Sequence, residues 1–511
     1  IDGGTSTVEK IRPIVSGGAQ AGTFAMTSGV FNVDGSTTGT GNSDFPRFCL
    51  PYSGQGFFMS GGTLNIANPE TGTAVDGGLL LGCSNFNVTN GTINLTIPAS
   101  SANFTLNSSV PLFNVNINKA GAGSGKLILQ NQVIGAGISL SSPIVAQPLV
   151  INQDLVIVTG NNPALQANDN NVSVKRNFSI NVGTTYTPGN NTTIFNGTTT
   201  QYFTLNGTIT SGLYNLTINK PLTVTCFLAG SATSLTVLND LTVLAGTFNN
   251  VAREIKLSGN AFITGLVNGL GSLTFDGTGA QTIGGNGVGR VATLAINKPL
   301  GTTTLVASLQ VEFALRLKDG VLDIGLFTLN LTTNARIYDA LTGTGTSFDN
   351  TKMVRTDGIS SAGGIRKRYN ATNPSFLYPL GTGLKYTPAY INITGSPTTY
   401  GYINIRAVNS DHPIVTASNQ ALRYYWKTSS TGFVLGAANV EHIYTYDESD
   451  VVTGVGVDET EYVAAYYQPF DVTWVSGGVT EVDESTNEIF IDPNVFGQII
   501  DGEFTAGDRD P

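Results

Sequence analysis

The sequence predicts an all-β chain, a right-handed parallel β-helix followed by an antiparallel β-sandwich. Three observations carry that expectation. Apolar residues alternate at period two in short runs, related runs recur through the first part of the chain, and aromatic residues concentrate where the recurrence stops.

Alternation is the local signal. In Leu216-Thr-Ile218, Leu241-Thr-Val243, Leu273-Thr-Phe275 and Phe327-Thr-Leu329-Asn-Leu331, apolar side chains fall on one face of an extended chain and Thr or Asn on the other. Gly, Asn and Asp separate such runs roughly every 8–12 residues, the rhythm of short strands joined by tight turns. With 62 Gly in 511 residues, no amphipathic helix is expected, because each glycine in a helix interior costs about 1 kcal/mol.

Recurrence comes next. Phe24-Ala-Met-Thr-Ser-Gly-Val-Phe-Asn-Val33, Phe57-Phe-Met-Ser-Gly-Gly-Thr-Leu-Asn-Ile66 and Phe86-Asn-Val-Thr-Asn-Gly-Thr-Ile-Asn-Leu95 are copies of one unit, aligned on Asn32, Asn65 and Asn94. A longer repeat follows, marked by Phe113-Asn-Val-Asn-Ile-Asn-Lys119, Tyr214-Asn-Leu-Thr-Ile-Asn-Lys220 and Ala292-Thr-Leu-Ala-Ile-Asn-Lys298, with 101 and then 78 residues between successive lysines. Its second and third copies are preceded by Phe195-Asn-Gly-Thr-Thr-Thr-Gln201 and Phe275-Asp-Gly-Thr-Gly-Ala-Gln281. A strand pair of this kind cannot bury its apolar face alone, so successive copies must stack. The short repeat is also too small for a sandwich domain of roughly 100 residues. Residues 1–349 are therefore read as the β-helix, with short repeats over 1–110 and long repeats over 111–349. Asn32, Asn65 and Asn94 are expected at equivalent places in stacked coils, and the three Ile-Asn-Lys segments in equivalent strands.

Residues 350–511 read as a separate β-sandwich. Its strands are expected at Ala389-Tyr-Ile-Asn-Ile393, Gly401-Tyr-Ile-Asn-Ile-Arg406, His442-Ile-Tyr-Thr-Tyr446 and Tyr462-Val-Ala-Ala-Tyr466. The aromatics here, among them Tyr369, Phe376, Tyr378, Tyr424, Tyr425 and Trp426, are read as core in preference to a sugar-stacking groove. The run Arg366-Lys-Arg368 is read as a solvated loop leading into this domain, in preference to a grip on an acidic glycan.

Charge sets the acidic end apart. Of 35 carboxylates, 17 lie in residues 440–511 against one base, Arg509, so this end carries −16 of a chain whose net charge is −10. Phosphates would be repelled there, which disfavours nucleic acid and anionic membrane as partners for that end. Calcium takes oxygens from clustered carboxylates, so Asp447, Glu448, Asp450, Asp458, Glu459 and Glu461 are candidate ligands. Neither group matches the EF-hand pattern, and solvated acidic loops are the preferred reading. No run approaches the roughly 18 apolar residues of a membrane helix, so no membrane insertion is expected. Cys49, Cys83 and Cys226 are too few and too scattered for a disulfide framework. A Cys49–Cys83 bridge is possible, but small buried hydrophobes are the preferred reading.

The pattern Gly-x-Gln, then Leu-Thr-Ile-Asn-Lys220, then Leu-x-Val-x-Asn-Asp-Leu-Thr-Val243-x-x-Gly246, resembles the adhesin-like repeat proteins of Bacteroidota exported by the type IX secretion system. Phe376-Leu-Tyr-Pro-Leu-Gly381, Arg423-Tyr-Tyr-Trp426 and Asp501-Gly-Glu-Phe-Thr-Ala-Gly507 are similar to the segment such proteins carry after their repeats. The resemblance implies an extracellular or cell-surface location, the secretion machinery as a partner during export, and a glycan or cell-surface ligand. No Pro-Asn-Pro opening of a sorting domain is present. With Ile1 first and no leader-like segment, the chain is read as a processed or excised piece.

Enzyme chemistry finds little support in the residues. Only His412 and His442 could act as imidazole bases, and both are read as structural. Gly121-Ala-Gly-Ser-Gly-Lys126 lacks the leading glycine, the hydroxyl and the helix of a phosphate loop. Asp319 and Asp323 share a face of one strand but sit roughly 13 Å apart at about 3.3 Å per residue, too far for paired carboxylates of a glycosidase. The expected function is a non-enzymatic structural or adhesive repeat protein without a cofactor, and the alternative is a carbohydrate-binding or polysaccharide-degrading β-helix.

Overall fold

The computed structural model describes residues 1–13, 21–35, 45–71, 76–132, 144–359, 363–415, 420–452, 458–468 and 473–508. Period-two alternation becomes strand throughout: 56% of the chain is strand and 3% helix, in about 15 solenoid turns of parallel strands with antiparallel pairing at the C-terminal end. Contacts divide the chain into two compact units, Ile1–Leu257 with Asn268–Gly271 and Ser258–Val267 with Ser272–Pro511.

In the first unit the short repeats stack as expected. Strands Ser28–Asp34, Gly56–Ala67, Asn85–Ile97 and Asn114–Lys119 pair in parallel and in register, with Asn32 opposite Asn65, Asn65 opposite Asn94, and Asn94 opposite Asn116. Each amide donates to the coil before it: Asn65 Nδ2 to Asn32 Oδ1 at 2.7 Å, Asn94 Nδ2 to Asn65 Oδ1 at 2.7 Å, and Asn116 Nδ2 to Asn94 Oδ1 at 2.9 Å. Asn32 closes the ladder on Thr7 Oγ1 at 3.1 Å. The ladder lies on the outer face, while Leu64, Ile66, Ile93, Leu95, Val115 and Ile117 fill the interior. Aromatic rings repeat the stacking inside, with Phe24 and Phe57 at 5.6 Å and 14°.

The turn glycines of the three short repeats have a physical cause. Gly29, Gly62 and Gly91 adopt φ of 79°, 78° and 104°, where L side chains are strained. A Cβ on Gly62 would also stand 2.9 Å from Gly29 O in the neighbouring coil. We therefore expect Gly62→Ala to cost about 1–3 kcal/mol, read as a lower urea midpoint at unchanged slope; no loss would show that the turn relaxes freely.

The long repeat is a buried clasp. In the first unit Gln201 and Lys220 are both buried, Lys220 Nζ donates to Gln201 Oε1 at 2.7 Å, and Gln201 Nε2 donates to Val174 O at 2.7 Å. The second unit repeats the arrangement. Gln281 Nε2 donates to Gly259 O at 2.6 Å, and Gln281 Oε1 accepts from Gly277 N and Lys298 Nζ, each at 3.0 Å. Lys298 Nζ also bonds Gly277 O, and Gly279 O at 2.6 Å. The Phe-Asx-Gly-Thr-x-x-Gln and Ile-Asn-Lys motifs thus recur together because turn carbonyls, glutamine and lysine satisfy one another inside a coil. The first copy has no such glutamine, and its Lys119 is only half-buried.

In the second unit parallel pairing continues beyond the expected end at Asp349. Leu322 pairs with Val354, Val354 with Leu380, and Thr328 with Gly364. Strand Gly364–Arg368 then pairs antiparallel with Tyr402–Val408, so one strand belongs to both regimes. The sheet goes on antiparallel through Tyr425–Thr431, Gly502–Asp508, Tyr462–Gln468 and Thr473–Ser476. A second antiparallel sheet holds Ser375–Tyr378, Ala389–Thr394, Asn439–Thr445 and Glu488–Ile491. The two faces meet through an aromatic core in which Tyr444 stacks on Trp426 at 5.0 Å and on Phe504 at 5.1 Å.

The basic run corrects an expectation: Arg366-Lys-Arg368 is strand, not a solvated loop. Alternation sends Arg366 and Arg368 outward over the Tyr402 ring and Lys367 inward. Lys367 Nζ is fully enclosed and donates to Thr332 O, Thr333 O and Ala335 O at 2.7, 2.8 and 2.9 Å. Burial, helped by Arg336, pulls its pKa down to about 7.

Candidate binding pocket

Antiparallel register builds a row of polar and aromatic side chains across five strands of the second unit. Arg406 stands opposite Lys427, Lys427 opposite Glu503, Glu503 opposite Tyr467, and Tyr467 opposite Trp474. Residues directly opposite share a face of the sheet, and their neighbours Ile405, Trp426 and Phe504 point into the core.

His412 covers one end of this row. Its ring lies 4.8, 5.2 and 4.7 Å from Tyr425, Tyr467 and Trp474. Ile414 N–H donates to His412 Nδ1 at 3.3 Å, so Nε2 carries the proton and donates to Glu503 Oε2 at 2.6 Å. Lys427 Nζ meets the other oxygen, Oε1, at 2.6 Å. Burial works to raise the Glu503 pKa, but His412 and Lys427 outweigh it and hold the carboxyl below its usual range.

The uncovered end is a cavity of about 430 Å³ lined by Arg406, Lys427, Ser429, Gln468, Asp501 and Glu503. Arg406 Nε is buried beneath the surface without a hydrogen-bond partner, and Nη1 donates to Gly363 O at 3.5 Å. Burial lowers the Arg406 pKa against the opposing pull of Asp357, Glu503 and Tyr425. Asp501 is exposed and accepts from Ser430 N–H at 2.5 Å. Asp501 and Glu503 are the two carboxylates of the pocket. A glycosidase needs one such group raised and protonated, and Glu503 is pushed the other way. Glu503 is thus held in its charged form, as an acceptor and not as a proton donor.

The six calcium candidates are placed in two separate turns. Asp447 accepts from Ser449 N and Oγ at the start of a 3-10 turn, and Asp458 does the same for Thr460. Glu448 accepts from Asn487 at 3.3 Å, Glu459 from the Tyr446 hydroxyl at 2.5 Å, and Glu461 is exposed. Asp450 is not solvated: its side chain is 1% exposed and pairs with Lys385. Among the described residues no group of three or more His, Cys, Asp or Glu is arranged to hold a metal ion. Arg509 lies outside the described residues.

Cys49, Cys83 and Cys226 are buried free thiols, and burial pushes the Cys226 pKa up to about 12. Asp319 pairs with Lys318 at 2.7 Å and Asp323 with Arg355 at 2.6 Å. His442 sits in the core, where Nε2–H donates to Ile499 O at 3.0 Å and Nδ1 accepts from the Tyr444 hydroxyl at 2.9 Å. Desolvation pulls its pKa down to about 4.

His442 gives a pH dependence whose sign is fixed. Above pH ~6.5 the imidazole is neutral in both folded and unfolded chains and contributes nothing. As pH falls from ~6.5 towards 4, only the unfolded chain takes the proton, so stability drops by about 3 kcal/mol in total. Urea unfolding of wild type and His442→Gln at pH 7 and 4.5 should therefore converge at the lower pH. A difference independent of pH would refute this role.

No protein-family model, no characterised protein and no solved structure matches the chain. The row from Arg406 to Trp474 was not read from the sequence. Its only trace there is the outward position of Arg406 in Gly401–Arg406 and the i, i+2 pair Asp501 and Glu503.

Proposed function

We propose that this chain is a non-enzymatic structural and adhesive repeat protein of the cell surface or extracellular space, delivered by a type IX secretion system. The observation that carries the reading is the use made of charged groups within the repeats. Lys220 ends on Gln201, Lys298 on Gln281 and two turn carbonyls, and Asp319 and Asp323 on neighbouring cations. Lys220, Lys298 and Asp323 tie segments 17 to 32 residues apart, Asp319 pairs within its own strand, and none of the four lines the pocket beside Glu503. Secretion and location rest on the resemblance of the Leu-Thr-Ile-Asn-Lys and Asp-Leu-Thr-Val segments.

The pocket favours one second reading, carbohydrate binding. Incubating the chain with plant, algal and bacterial polysaccharides separates the classes. The expected outcome is intact polysaccharide, with or without retention. New reducing ends or unsaturated uronides, lost on Asp319→Asn or Asp323→Asn, would overturn the non-enzymatic reading. Deletion of the gene's type IX exporter should leave the protein inside the cell; undiminished surface display would overturn the secretion route.

A further inference from the structure

We infer that the pocket beside Glu503 is a binding site for a neutral, hydroxyl-rich sugar, either a chain end or a short stretch of glycan. The inference rests on the adhesive reading above and gives it a ligand class and an address.

Size is the first argument. About 430 Å³ lies in the lower part of the range of small-molecule sites, roughly 300–1,000 Å³, and suits one or two sugar rings.

Charge is the second. The lining carries two cations, Arg406 and Lys427, and two anions, Asp501 and Glu503. An anionic ligand such as a uronate or phosphate would have to take Lys427 from Glu503, leaving that carboxylate facing the newcomer. A cationic ligand would meet Arg406 and Lys427. A neutral ligand disturbs neither pair.

The third argument is the mixture of donors and acceptors. A sugar hydroxyl gives one hydrogen bond and accepts others, so a ring with adjacent hydroxyls needs both kinds within reach. Asp501 offers acceptors; the Arg406 guanidinium and the Lys427 ammonium in the wall offer donors; Ser429 and Gln468 offer both. Glu503 is preorganised, since His412 and Lys427 fix its oxygens before any ligand arrives.

The experiment is affinity electrophoresis of the intact chain through gels containing neutral polysaccharides (mixed-linkage glucan, mannan, galactan, xylan) or acidic ones (polygalacturonate, alginate). Wild type is compared with Gln468→Ala, Ser429→Ala and Asp501→Asn, each first shown to keep the wild-type unfolding midpoint. These positions are chosen because none belongs to the His412–Glu503–Lys427 set that the fold needs. We expect at least one neutral polysaccharide to retard the wild type, and Gln468→Ala with Asp501→Asn to weaken that retardation at least tenfold. Retardation unchanged in the pocket variants would overturn this site while leaving the adhesive reading standing. Pocket-dependent retardation by the acidic polymers alone would overturn the neutral assignment. Absence of retardation in every gel would overturn the site, and adhesion would then be judged by binding to whole cells.

Discussion

Lys298→Ala is expected to cost about 3–5 kcal/mol. The substitution strips a buried ammonium from Gly277 O, from the partly buried Gly279 O and from Gln281 Oε1, which keeps only Gly277 N–H. Burial already holds the Lys298 pKa below its usual value, against the pull of Asp276, and these oxygens hold the charge in place. Lys119→Ala is the internal control. It removes the same residue from the copy that has no glutamine and a half-buried side chain, and should cost within about 1 kcal/mol. Equilibrium unfolding of both variants in urea decides the matter. Equal losses would mean that the shared motif reflects strand packing alone.

The second large effect is expected from Lys385→Met. Asp450 is buried, its Oδ2 has no hydrogen-bond partner, and Lys385 supplies its cation. Without the lysine the enclosed carboxylate keeps only the weaker pull of Arg423, a loss of about 3 kcal/mol at neutral pH. Burial has already raised the Asp450 pKa despite Lys385. The variant should therefore recover relative to wild type as pH falls and the carboxyl takes a proton. A deficit that stays constant between pH 7 and 4 would refute the assignment. Chelation supplies the companion measurement. With their carboxylates engaged in turns, in the Lys385 pair and on the Tyr446 hydroxyl, the acidic segments should keep the same unfolding midpoint in EDTA. A drop would mean that a cation holds them.

The repeats were legible because the solenoid writes its constraints at fixed offsets. Inward positions must be apolar at period two, and Asn32, Asn65 and Asn94 must recur in register because each amide bonds the last. The clasp was visible as a recurring motif, yet its meaning was not. Gln201 and Lys220 are 19 residues apart, and nothing in either run says that the two side chains meet. The change from parallel to antiparallel pairing was illegible for a different reason. Strand Gly364–Arg368 uses the same alternation on both of its edges, so composition shifted near residue 350 while the pairing sense changed later. Asp450 looked like its exposed neighbours, since burial there depends on Lys385, 65 residues earlier. The pocket needed two strand registers at once to bring Arg406, Lys427 and Glu503 into line.

The asparagine ladder has a direction, and every rung is alike. Each amide gives its hydrogen to the rung behind and offers its oxygen to the rung ahead, so any rung can follow any other. Excising the segment from one rung to the next would bring Asn94 onto Asn32 through the same bond that Asn65 makes now. Recombination between the repeated stretches of the gene would in this way yield shorter or longer chains that close without a mismatched seam. The ladder bond therefore sets no limit of its own on the number of coils.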